Sequence, residues 1–113
     1  MSVSIGVLFQ PTVLTASAAT IYTVPGSPST TTLINGRVRF TNTSNATQAV
    51  TWYAVPSGGT AGAGNCQGNA ETLSANTHVD LDVPLMGPGG FIQALAGNAS
   101  TVTMSALAGI ITS

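Results

Sequence analysis

His78, Asp80 and Asp82 alternate along the chain, so on an extended strand all three project from one side. An imidazole and two carboxylates on one face are the elements of a metal site. The same spacing also describes the outward polar face of an ordinary strand. The sequence has a single histidine and a single cysteine, so the usual nitrogen and sulfur ligands cannot complete the set. The polar-face reading is the stronger one, and no metal or cofactor is expected. Cys66 is the other reactive side chain. A thiol nucleophile needs a base and a group that orients the base, and His78, on a separate predicted strand, is thin support for that. Cys66 reads as a bystander.

Other constellations fail on the same kind of count. The chain holds three acidic residues, and two of them, Asp80 and Asp82, share a strand face, which does not give the convergent carboxylate pair of a glycosidase. Gly58, Gly59, Gly62 and Gly64 lack the lysine and the following helix of a phosphate loop. Trp52 and Tyr53 are adjacent, so on a strand they point to opposite sides and cannot form one sugar-stacking platform; Trp52 reads as core. Asn42-Thr43-Ser44, Asn45-Ala46-Thr47 and Asn98-Ala99-Ser100 match the glycosylation sequon, but chance accounts for them in a chain so rich in Asn and Thr. No catalytic residue is assigned, and the chain is expected not to be an enzyme.

Charge excludes more. Arg37, Arg39, Glu71, Asp80 and Asp82 are the only side chains with a formal charge at pH 7, 4% of the chain, against about 25% in ordinary soluble proteins. Two arginines cannot build a phosphate-binding footprint or a polybasic membrane patch. No apolar run approaches the ~20 residues of a spanning helix. The first residues lack the positive region of a signal peptide. The surface must be clothed in Thr, Ser, Asn, Gly and Ala. Little charge is left to keep copies apart, which favours association. A monomer kept in solution by hydroxyls and amides is the alternative.

These residues must be held by strands. The 113 residues fit one domain with its own core. Alternation with a period of two recurs throughout, and no helical pattern longer than a turn survives. Leu33 to Thr43 is the clearest strand, with Ile34, Val38 and Phe40 on one face and Arg37 and Arg39 on the other, provided that no bulge intervenes at Gly36. Gln48 to Pro56 follows, with Val50, Trp52 and Ala54 on one side, and the two strands are expected to form a hairpin. His78 to Leu85 places Val79, Leu81 and Val83 inward. Phe91 to Ala96 and Thr101 to Thr112 form an expected final hairpin. About seven to nine short strands at this spacing define an all-β, single antiparallel β-sandwich, jelly-roll-like, spanning residues 1–113 as one domain.

Two features bear on assembly. Arg37 and Arg39 on one strand and Asp80 and Asp82 on another are suited to pair across strands or across subunits, where an ion pair sets register more than stability. The N-terminal run Val3, Ile5, Val7, Phe9 alternates up to Pro11. Burying four apolar side chains returns less free energy than ordering nine residues costs, so this run needs ladder hydrogen bonds. Two readings of residues 1–10 stand: a first strand of the domain's own sheet, or an extended assembly arm that adds to a neighbour. Val3, Ile5, Val7, Phe9, Arg37, Arg39, Asp80 and Asp82 are therefore the candidate interface residues.

The middle of the chain carries a resemblance. Ile21-Tyr22-Thr23-Val24-Pro25, Gly36-Arg37-Val38-Arg39-Phe40-Thr41-Asn42-Thr43-Ser44, the run from Ala49 through Trp52 and Pro56 to Gly62, and Leu81-Asp82-Val83-Pro84-Leu85 resemble segments of small virion proteins of tailed bacteriophages. The resemblance covers roughly residues 20–112 and rests on short β motifs. It implies a β-sandwich serving as a capsid decoration (cement) subunit on the capsid exterior. Its implied partners are the major capsid protein or other virion proteins, and its implied state is a dimer or trimer. A tail, neck or fibre subunit is the alternative within that class, and a carbohydrate-binding host-recognition module is the alternative outside it. The family brings no catalytic residues. One measurement separates the two readings of the N-terminal run: under the arm reading, a chain lacking residues 1–9 folds but no longer binds its assembly, whereas failure to fold marks those residues as a core strand.

Overall fold

The computed structural model describes residues 3–5, 7–26 and 30–112, with residues 3–5 described by their backbone. Among the described residues nine strands follow one another: β1 (Val3–Ile5), β2 (Thr12–Val13), β3 (Ala19–Thr23), β4 (Thr32–Asn42), β5 (Gln48–Val55), β6 (Cys66–Leu73), β7 (His78–Asp82), β8 (Phe91–Ala96) and β9 (Val102–Thr112). A single 3₁₀ turn, Ala63–Asn65, precedes β6. One sheet has the order β1-β9-β4-β7, with β2 also on β9; the other has the order β3-β8-β5-β6. Every pairing is antiparallel.

The pairs β2:β9, β3:β8, β4:β7 and β5:β6 are nested one inside the next. That is one long hairpin rolled into two facing sheets, the jelly-roll arrangement. The chain changes sheet at almost every connection. Two expected hairpins are therefore absent: β4 and β5 lie in opposite sheets, and so do β8 and β9. Each of these strands buries one face in the same core, so a short connection across the sandwich satisfies the alternation as well as a hairpin would.

The core lies between the sheets. Phe40 from β4 meets Trp52 from β5 with ring centroids 5.8 Å apart, and Ile92, Met104, Leu33 and Val38 belong to the same buried cluster. The inward face of β4 departs from the expected one. Leu33, Val38 and Phe40 are buried, while Ile34 is half-buried on the outer side. The cause is a bulge at Asn35–Gly36, where pairing with β9 shifts between Ile34 and Arg37. Asn35 takes the left-handed conformation, φ 52°, which asparagine tolerates better than most residues. On β9 the compensating extra residue is Leu107: Arg37 pairs with Ala108, and Val38 with Ala106. The register is the same on either side of the two bulges, but both strands turn over by one face.

The expected inward set on β7 is also only partly enclosed. Val83 is buried, but Val79 stays 36% exposed, because β7 is the last strand of its sheet and nothing lies beyond it. The four edges are otherwise blunted. β1, β2, β3 and β7 are short, β7 carries the two aspartates, and β6 is broken by register shifts. These are the usual defences of an exposed ladder.

Asn42 pins one end of the sandwich. It is fully buried. Its amide nitrogen donates towards the carbonyls of Ala46 (2.8 Å), Leu73 (3.0 Å) and Ser74 (3.2 Å). Its oxygen accepts from the backbone N–H and the hydroxyl of Ser44. One side chain thus ties the β4–β5 crossing to the β6–β7 corner, and the sequon at this position has no free amide in the folded chain. Asn42→Ala strands those carbonyls, and the lost bonds predict a destabilisation of about 2–3 kcal/mol, measured as a lowered urea midpoint with unchanged slope.

Candidate functional site

The charged residues gather on the outer face of the first sheet. Register alone brings them together: Arg37 stands opposite Asp82 and Arg39 opposite Asp80 on the β4:β7 ladder. The two pairs differ. Arg39 Nε donates to Asp80 Oδ1 at 2.7 Å and Nη2 donates to Oδ2 at 3.0 Å, a two-pronged contact. Arg37 Nε lies 3.6 Å from Asp82 Oδ1, and the two side chains are 53% and 91% exposed. The hydrogen bonds from Arg39 hold Asp80 below the usual carboxylate range, with smaller help from the charges of Arg39, His78 and Arg37, against a desolvation that works the other way. The aspartates on the strand of His78 are thus turned to arginines.

The other chemical candidates fall apart in space. Cys66 is half-buried at the start of β6, in the sheet opposite to that of His78. It borders a shallow groove with Tyr53, Gly62, Gln67 and Glu71, which offers no imidazole. Trp52 is only 2% exposed, so no aromatic platform forms around it. Its indole N–H is buried and has no acceptor among the described residues. It faces Gly68, where an added methyl would lie 3.0 Å from Nε1. Phe40, Val50, Leu73, Val79 and Leu81 wall a narrow cleft beside it, where the β6 and β7 edges part.

The N-terminal run divides. β1 pairs with residues 110–112 of β9 in the same chain, and β2 with residues 103–104. The side chains of Val3 and Ile5 lie outside the described residues. Val7 is 69% exposed, whereas Leu8 and Phe9 pack against the core, Phe9 with its ring 6.2 Å from that of Tyr22. The expected single apolar face through Val7 and Phe9 is therefore broken at Leu8. The reason is local: Leu8 sits in the notch left by Gly109, where an added methyl would fall within 2.9 Å of three Leu8 carbons.

Sequence reasoning missed the apolar surface next to these charges. Two shallow grooves adjoin on the outer face and share Asn35 and Ala108. One is walled by Val7, Leu107 and Ile110, the other by Ile34, Leu85, Arg37 and Asp82. The signal that was available is the Asn35-Gly36 dipeptide, a frequent site of left-handed backbone.

This geometry describes an all-β sandwich of jelly-roll topology with exposed apolar side chains on one outer face. No family model matches the chain, and no curated protein matches it. Among solved structures, a chain from "Structure of infectious bursal disease virus Gx strain" is similar to it at 14% identity and a TM-score of 0.49, over 97% of this chain and 31% of that one. The present chain thus spans about a third of the length of that protein.

Replacing Asp80 with asparagine removes the tighter ion pair. The Asp80→Asn chain is expected to melt slightly below the parent at pH 7. Because the carboxylate is held below its ordinary value of about 3.9, folding is favoured by the pair at higher pH and loses it on acidification. The gap in Tm should persist down to about pH 4 and close as the pH falls through the lowered value of Asp80. Thermal melts of both chains across that range check this.

Proposed function

We propose that this chain is a structural protein of a virion, and specifically a decoration (cement) subunit that binds between capsid subunits on the exterior of a phage head. One observation carries the reading. Of five charged side chains, four pair with one another across β4 and β7. What remains, apart from the exposed Glu71, is a surface of hydroxyls, amides, glycines and apolar side chains, and no cluster of metal-ligating groups lies among the described residues. Such a surface adheres by shape and burial rather than by charge.

Two further considerations support the reading without carrying it. Jelly rolls recur in viral coats, as they do in lectins and cupins, which is analogy at the level of fold only. The short β motifs that resemble those of tailed-phage virion proteins run through β3, β4, β5 and β7, strands that build both sheets. The mechanism is passive. A rigid sandwich docks on neighbouring subunits and adds contacts that hold them together.

Copy number and salt test the proposal. Purified particles should carry the protein in hundreds of copies, and about 1 M NaCl, where screening shrinks to ~3 Å, should not release it. A handful of copies at one vertex would move the chain to the tail, neck or fibre. Release by moderate salt would overturn adhesion through a neutral surface.

A further inference from the structure

We propose that the outer face around Leu107 binds a second copy of this chain across a two-fold axis, with Arg37 of each copy set against Asp82 of the other. The inference concerns the isolated chain and stands whether or not the virion reading does.

The first support is where the exposed apolar side chains are. Five large ones are exposed among the described residues, and three of them, Val7 (69%), Leu85 (72%) and Leu107 (41%), line the two adjoining grooves. They come from three separate parts of the chain: the segment before β2, β9, and the segment after β7. A patch gathered in this way marks a docking surface more than scattered surface apolarity does.

The second support is the pair of bulges. Because they cancel in register, the ladder beyond them is unaffected. Their effect is on facing: both strands turn over, and the unpaired Leu107 is delivered to the outer face. Bulges that re-aim a side chain belong to functional surfaces more often than to plain sheet.

The third support selects the occupant. The charges on this patch are Arg37 and Asp82, adjacent and of opposite sign. Their contact within the chain is loose, and Asp82 is almost fully exposed. Two residues further along the same strands, Arg39 and Asp80 close a tight pair. A face with one positive and one negative group side by side is complementary to itself turned by 180°, the requirement for an interface that uses the same patch twice. The net charge of −1 leaves little repulsion between copies. The result is an apolar centre with a polar rim, as subunit contacts usually have.

Sedimentation equilibrium of the purified chain should give the mass of two copies at micromolar concentration. Leu107→Asp should give a folded monomer, since this side chain lies outside the core, and its Tm, unlike the parent's, should not rise with protein concentration. Charge exchange makes the test independent of that variant. Arg37→Glu alone and Asp82→Lys alone each put like charges together at both symmetric contacts, so each should dimerise at least tenfold more weakly than the parent. A 1:1 mixture of the two restores opposite charges at both contacts and should recover the dimer as a heterodimer. A monomeric parent, a cyclic trimer, or a mixture no tighter than its components would overturn the proposal. So would a monomer whose capsid binding is abolished by Leu107→Asp, since that result assigns the face to the coat.

Discussion

A strand that crosses the middle of a sandwich must show the same face to the core along its whole length, and β4 meets this requirement only by changing step. Leu33 is inward and odd-numbered; Val38 and Phe40 are inward and even-numbered. The extra residue at Asn35–Gly36 reconciles them, and the answering residue at Leu107 keeps β9 in register. Much else follows from that accommodation. The carbonyl of Gly36 accepts the N–H of Val83, which anchors the chain as it leaves β7. An added methyl at Gly36 would press on Val83 Cβ at 3.0 Å, so the close approach favours glycine. Beyond the bulge, Arg37 and Arg39 face outward, opposite the two aspartates.

The same geometry accounts for how the chain uses so few charges. Aspartates on an edge strand discourage unwanted pairing, and arginines on the adjoining central strand neutralise them. Four ionisable groups thus guard one edge and fix one register, and Glu71 is the one other side chain with a formal charge. Short strands and register shifts protect the remaining edges. Such a surface has little to repel a copy of itself or a coat of similar character, and the inference of a structural role rests on that.

A good part of this was legible in the sequence. Period-two alternation identified most of the strands, and Trp52 next to Tyr53 had to be the one turned inward. With charges so scarce, the pairing of Arg37 and Arg39 with Asp80 and Asp82 could be anticipated from their spacing alone. The assignment of strands to sheets could not. Thr43–Thr47 has the composition of a hairpin turn, yet it crosses the sandwich, because alternation reports which face is buried and not which neighbour is bonded. Asn42 looked like part of a turn or a sequon, while its importance lies in carbonyls contributed by Leu73 and Ser74, some thirty residues away. Leu107 has no local signal. Its exposure follows from a bulge that exists to answer another on β4.

The nesting of the strands also bears on how the protein is made. β9 occupies the interior of its sheet, between β4 and the first two strands, although it is the last of the nine to be synthesised. Until residues 102–112 have left the ribosome, β4 has an open flank, and Leu14, whose N–H bonds to the carbonyl of Val102, has no lid. The most distant contacts in sequence are thus those that close the fold, which makes for slow, late folding. A nascent chain held at that stage presents a long ladder edge with hardly any charge to deter a neighbour. Crowded polysomes translating this message would favour entanglement between adjacent chains, and the emergence of β9 is the event that ends that exposure.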